Sequence, residues 1–323
     1  MENFVKKRAL ILCTTTLQML LAKKIISTES EICFDCILLT MNDNEKHKYY
    51  FNELSSKCEN NLFFHMRKRG LNNFFKFKKE FRKNGFKANY DEYYIASIDN
   101  YYFRYILSKD ISAKIKTFDD GVGNIISTSI YYQGLKDSLL KKLIWNTLGV
   151  KRSISNIIKS SELHYTIYNN VDNIVSRTKN INILENKNNI CGTQVLKIFI
   201  GQPLHTIDSK FNINFIESIL DKIKVDFYFP HPREDNYPVG NFEIIKTNYI
   251  FEDYIVNFLK NNPNIKLELF SFISTASLNV ASIETIDINY IYDEILEEKY
   301  PEFYRLIKNK FRGNIIEVNC NID

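Results

Sequence analysis

Lys114-Ile115-Lys116-Thr117-Phe118-Asp119-Asp120-Gly121 reads as a buried strand that runs straight into a pair of carboxylates. A second stretch is built the same way: Val225-Asp226-Phe227-Tyr228-Phe229 leads into Pro230-His231-Pro232-Arg233. In an open parallel sheet, groups just past the carboxyl ends of the strands line the ligand crevice. The sequence therefore puts a carboxylate pair at one such edge and a His-Arg pair at another. Group transfer from a phosphorylated donor needs a base for the acceptor and an acid with anion-binding help for the leaving group.

Working outward, Ala9–Cys13, Phe34–Leu39, Leu62–His65 and Glu92–Ala96 read as further strands of the first series. Between them lie helical stretches: one opened by Thr14-Thr15-Thr16, one at Lys48–Leu54, a basic Phe-studded run, and one near Asn100–Leu107. After an Asn/Lys-rich linker over Arg177–Gly192 a second series begins, with strands at Leu196–Ile200, Val225–Phe229, Phe242–Ile245, Lys266–Phe270 and Ile286–Ile288. Alternating strands and helices predict parallel sheets covered by helices. The fold expected is α/β and GT-B-like: two Rossmann-like parallel-sheet domains, over 1–182 and 183–323, facing a cleft.

Composition excludes several classes. The chain has 323 residues, with 45% hydrophobic and 25% charged content, as in globular proteins with ordinary cores. A net charge of +5 is too small a tilt to argue for nucleic acid. No apolar run is long enough to span a membrane, and Met1–Arg8 leads into a strand without a signal-peptide pattern. A cytoplasmic protein is expected. Cys13, Cys33, Cys36, Cys58, Cys191 and Cys320 lack the density of a disulfide scaffold. Cys33-Phe34-Asp35-Cys36 has metal-ligand spacing but no second pair to complete four ligands, so these read as buried thiols.

The motifs, in this order and spacing, resemble the bacterial lipooligosaccharide and capsule sialyltransferases of glycosyltransferase family 52, typified by the neisserial enzyme. The resemblance is carried by Ile11-Leu12-Cys13 through Thr16-Leu17-Gln18-Met19, Tyr49-Tyr50-Phe51-Asn52, Leu62-Phe63-Phe64-His65, and Ile115 through Asn124. It continues in His164-Tyr165-Thr166-Ile167-Tyr168, Pro230-His231-Pro232-Arg233 and Tyr249-Ile250-Phe251-Glu252-Asp253-Tyr254. It implies inverting transfer of sialic acid from CMP-sialic acid to a terminal galactose of a surface glycan, with an α2,3 linkage and neither metal nor cofactor in the chemistry. The alternatives are a relative with another linkage, acceptor or nucleotide-sugar donor, and a donor-binding homologue without catalysis. The first domain would hold the acceptor and the second the donor.

Within that reading His231 is the candidate acid toward the departing phosphate, its alternative being a turn histidine beside proline. Pro232 and Arg233 belong to the same donor loop, where Arg233 either meets the anion or braces the turn. Ser274-Thr275-Ala276-Ser277 matches the family's serine-bearing phosphate loop, although ordinary N-capping uses the same geometry. Glu252 is a candidate for the ribose hydroxyls, or else a first-turn acid that suits the helix dipole. The family's catalytic Asp follows a Gly-Ser-Pro, whereas here the run is Gly201-Gln202-Pro203-Leu204-His205-Thr206-Ile207-Asp208. Leu204 cannot take a proton. The base is then Asp120 or Asp119, ranked ahead of His205 and Asp208, and Gly201 is placed with the donor loop. Two stretches suggest partners. Arg67, Lys68, Arg69, Lys76, Lys78, Lys79, Arg82, Lys83 and Lys87, interleaved with Phe, read either as an anionic-membrane contact or, preferably, as a solvated helix with Phe on its core face. Leu135–Leu148 reads as a helix that could pair two copies of the chain.

Overall fold

The structure is a computed structural model, and it describes residues 6–183 and 194–318 apart from 69, 88, 113, 235 and 312. The chain divides into two compact units, 1–182 and 183–323. Most of the linker stretch, together with Cys191, Cys320 and Arg69, lies outside the described residues.

Unit 1 contains β1 (Lys7–Cys13), α1 (Thr16–Thr28), β2 (Ile32–Thr40), α2 (Glu45–Ser55), β3 (Asn60–His65), α3 (Leu71–Lys83) and β4 (Glu92–Ile95). It continues with α4 (Tyr101–Lys109), β5 (Lys114–Phe118), α5 (Ile130–Gln133), α6 (Leu139–Thr147), α7 (Ile154–Ser160), β6 (Ser161–Thr166) and β7 (Thr178–Asn180). The sheet order is β3-β2-β1-β4-β5-β6-β7, and every pairing is parallel. Covering both faces of a parallel sheet demands apolar residues on both, which is why Ala9 through Cys13 is buried without alternation.

Unit 2 contains β8 (Gln194–Ile200), α8 (Ile213–Ile223), β9 (Phe227–Phe229), β10 (Glu243–Ile244), α9 (Phe251–Asn261), β11 (Ile265–Ser271), α10 (Thr275–Asn279), β12 (Ile286–Ile291), α11 (Glu294–Lys299), α12 (Pro301–Lys310) and β13 (Asn314–Ile316). Its sheet runs β10-β9-β8-β11-β12-β13, also all parallel. Both units thus follow the 3-2-1-4-5-6 order of dinucleotide-type folds, with an extra strand on unit 1. The order reverses between β1 and β4, and again between β8 and β11. In open parallel sheets such reversals are where the connections leave in opposite directions and where ligands bind.

Local chemistry sets the helix starts. Thr15, Asn44, Asn100, Ser138, Ser153 and Asn212 cap α1, α2, α4, α6, α7 and α8 with side-chain oxygens on exposed backbone N–H groups. Helix α3 carries the basic stretch and turns Phe74, Phe77 and Phe81 into the core, leaving Lys76, Lys79, Arg82 and Lys83 exposed. Helix α6 behaves differently. Its Trp145 is buried, stacked on Tyr101 with centroids 4.5 Å apart and against Phe74 at 5.1 Å. Its leucine stripe points outward instead, with Leu139 84%, Leu140 68% and Leu143 59% exposed. Among the described residues, no helix is long and apolar enough to cross a membrane. Cys13 and Cys36 are buried, Cys33 and Cys58 half-buried, and all four are free thiols.

The first carboxylate of the Asp119-Asp120 pair is a structural member of this sheet. Asp119 is fully buried, accepts from His164 Nε2 at 2.9 Å and from the Ile167 N–H at 2.7 Å, and so ties the ends of β5 and β6 together. His164, equally buried, meets Thr117 Oγ1 at 2.8 Å through its other nitrogen. Asp119→Ala would leave two buried donors without acceptors. We expect it to cost about 3 kcal/mol or more, read as a lower denaturation midpoint. An unchanged midpoint would contradict this role.

Candidate functional site

Asp120 sits one residue beyond Asp119, past the end of β5, and is half-buried. Its Oδ1 accepts from Gln18 Nε2, and its Oδ2 accepts from the Tyr131 hydroxyl and from Ser97 Oγ at 3.3 Å. Its backbone N–H donates to Asn124 Oδ1 at 2.6 Å, which closes the Asp120-Gly121-Val122-Gly123-Asn124 loop. Gly121 holds φ +68°, a conformation that favours glycine. The surrounding groups come from the reversal point of the sheet: Thr14 follows β1 and Ser97 follows β4, and their hydroxyls lie 2.7 Å apart. Gln18 Oε1 accepts from the Thr14 N–H at 2.6 Å, so its amide nitrogen is aimed at Ser97 (2.9 Å) and Asp120. Burial, then the charges of Asp120 and Asp99, push the Tyr131 phenol far above its ordinary range. Tyr131 therefore remains a hydrogen-bond donor to Asp120 at any physiological pH. Three donors fix the carboxylate and leave room for a fourth partner.

In unit 2 the corresponding edge is organised around a residue the sequence reading passed over. Glu234 Oε2 accepts from the His231 N–H at 2.6 Å, and Oε1 from the Tyr228 hydroxyl at 2.7 Å. Glu234 N–H in turn donates to His231 O at 3.0 Å, so the segment 231–234 is a closed turn. Burial raises the Glu234 pKa above the usual carboxylate value, against the pull of these donors. Gly201 makes room for this arrangement. A Cβ there would lie 2.5 Å from Glu234 Oε2 and 2.5 Å from the Tyr228 hydroxyl.

His231 is half-buried at the edge of β9. The Arg233 N–H donates to its Nδ1 at 3.1 Å, so the neutral ring carries its proton on Nε2. Burial, then the Arg233 charge, lowers its pKa below 6.5. The ring is thus presented as a neutral Nε2–H donor. An anion brought against it would favour the protonated form. Pro232 and Arg233 are exposed on the same turn.

The remaining candidates divide by depth. Ser274 occupies the N-cap position of α10 without a side-chain capping bond and is buried, and Thr275 is exposed. Ser277 has no exposed surface and bonds Ser274 O at 2.7 Å and the Tyr290 hydroxyl at 3.3 Å, which is structural use of its hydroxyl. Glu252, in the first turn of α9, is buried and accepts from Asn279 Nδ2 at 2.6 Å. Leu204 packs into the core of unit 2 at 2% exposure. The next residue, His205, is exposed on the short 3-10 turn Leu204–Thr206. Asp208 accepts from the Lys210 N–H at 3.0 Å and lies 3.8 Å from Lys299. Sequence reasoning missed Glu234, Gln18, Ser97 and Tyr131. For Glu234 a signal existed, an acid at the end of a His-Pro-Arg turn.

With these features established, relatives can be set beside them. The model of glycosyltransferase family 52 matches residues 33–294. The chain belongs to this family. It is 32% identical over 311 residues to the CMP-N-acetylneuraminate:beta-galactoside alpha-2,3-sialyltransferase of Pasteurella multocida, covering 96% of this chain and 99% of the relative. It is 30% identical to the N-acetyllactosaminide alpha-2,3-sialyltransferase of Haemophilus influenzae, over 88% of this chain and 92% of the relative. Among solved structures, a UDP-glucosyltransferase from Polygonum tinctorium superposes with a TM-score of 0.55 over 97% of this chain and 86% of that one. At 8% identity that likeness is one of fold, and the two Rossmann-like units are of the GT-B class.

Gly201→Ala tests the tight packing behind His231. The added methyl must displace Glu234 or Tyr228, and we expect a loss of about 1–3 kcal/mol, seen as a lower unfolding midpoint. A variant as stable as the wild type would show that Glu234 is not held against this glycine.

Proposed function

We propose that this family 52 member is an inverting sialyltransferase that moves sialic acid from CMP-sialic acid to a terminal galactose of a bacterial surface glycan, forming an α2,3 linkage. The observation that carries the proposal is the 32% identity, along essentially the whole chain, to a relative named for that reaction. The geometry of unit 2 supports it. As CMP departs, charge gathers on its phosphate, and His231 offers an Nε2–H donor whose proton affinity rises as that charge develops. Ser274 and Thr275 supply hydroxyls for the same phosphate, Arg233 supplies charge, and Glu252 serves the ribose. On the acceptor side, Asp120 takes the proton of the attacking hydroxyl, held in orientation by Gln18, Ser97 and Tyr131. Asp119 is a positioning residue, because both its oxygens are committed within the sheet. No metal takes part in the proposed chemistry. A second copy of the chain is the partner we assign to the outward leucines of α6.

One observation favours a second reading. Leu204 stands in the core at the position where the family pattern carries its catalytic acid, as it would in a homologue that binds the donor without transferring it.

Incubation with CMP-sialic acid and lactose, with detection of CMP and sialyllactose, separates the two. We expect turnover that survives EDTA. His231→Ala should lower kcat by about 10²–10⁴-fold, and Asp120→Asn should lower kcat while sparing donor affinity. His205→Ala and Asp208→Asn should stay active. CMP binding without product on any galactoside would support the second reading, and an inactive His205→Ala would move the base to that residue.

A further inference from the structure

Gln202 follows β8 at the point where the order of the unit 2 sheet reverses. Its side-chain Oε1 accepts two hydrogen bonds, from the Phe272 and Ile273 N–H groups, each at 3.1 Å. These residues follow β11, the strand beside β8. Two backbone donors on one atom settle which end of the amide is oxygen. The Nε2 hydrogens therefore face away from the chain that holds the oxygen. The side chain is half-buried, and Nε2 has no acceptor among the described residues. The neighbouring Gly201 packs against Glu234, which holds the His231 turn. Gln202 thus joins the loops after β8 and β11 and still has a donor pair to offer. Glu234 does not compete for it, because its two oxygens are taken up by the Tyr228 hydroxyl and the His231 N–H.

We infer that the Gln202 side-chain amide is a donor-binding group that gives an Nε2–H hydrogen bond to a phosphate oxygen of the nucleotide sugar. The inference rests on the donor reading above and adds a residue to it. The switch point of such a sheet is where a phosphate is received, and an amide pinned through its oxygen is already oriented for an anion, with little ordering left to do on binding.

Gln202→Glu distinguishes this from a merely structural role. A carboxylate still accepts from the Phe272 and Ile273 N–H groups, but it replaces the outward donor with a repelling oxygen. Calorimetric titration of CMP and of cytidine, which lacks the phosphate, reads the difference. We expect Gln202→Glu to weaken CMP binding roughly tenfold to a hundredfold and to leave cytidine unchanged. If Gln202→Glu does not fold, Gln202→Met, which removes the donor without adding charge, should still weaken CMP more than cytidine. Unchanged CMP affinity, or equal loss for the two ligands, would overturn the inference. Failure of the wild-type chain to bind CMP would overturn the donor reading itself, and the role of Gln202 with it.

Discussion

The carboxylate of Glu234 is the constraint on which the candidate site of unit 2 depends. It gathers the Tyr228 hydroxyl from β9 and the His231 N–H from the turn beyond it, and it packs against Gly201 at the edge of β8. Each of those donors would be costly to bury unpaired. Burial raises the pKa of Glu234, and Tyr228, pushed far up by burial and by Glu234 itself, stays protonated as its partner. The glycine at 201 is a consequence of this cluster, because the carboxylate and phenol occupy the space of a side chain. With the turn closed, Arg233 N–H falls on His231 Nδ1 and fixes which nitrogen faces outward. The chemistry assigned to one imidazole is therefore prepared by a residue three positions later.

Unit 1 solves the same problem with different groups. There the carboxylate at the strand edge is the functional candidate, and the residues around it are the supports. Gln18 comes from α1, which follows β1, and Ser97 from the loop after β4, the two strands that flank the reversal of the sheet, and Tyr131 comes from the segment that follows the glycine-rich loop. Identical sheet order in the two units puts polar groups at equivalent places, because in both the apolar strands end where backbone and side chains must find polar partners.

The long apolar strands were legible in the sequence because a parallel sheet buries both faces, so β1, β2, β8 and β11 read as continuous runs. Strands β7 and β13 were not: β7 is a polar three-residue edge strand, exposed throughout, and β13 is as short. Strand β6 hid because two of its three buried residues, His164 and Thr166, are polar and serve Asp119 and the backbone. The helix over α6 was visible from its leucines, as one that could pair two copies of the chain, but which side meets the core was not. The lone Trp145 on the other side wins the packing. At the candidate sites, the motifs after β5 and β9 drew attention by their chemistry, yet the sequence could not separate Asp119 from Asp120. One faces into the sheet and the other into the loop network. Gln202 and Gln18 escaped notice because their partners lie 70 and 102 positions away.

The turn after β9 presents His231 through Nε2 with a depressed proton affinity. The ¹⁵N chemical shifts of the His231 ring, followed through a pH titration of the free protein, test it directly. An Nε2-protonated neutral tautomer that titrates below 6.5 is expected. A neutral ring protonated at Nδ1, or a titration above 6.5 in the absence of nucleotide, would contradict it.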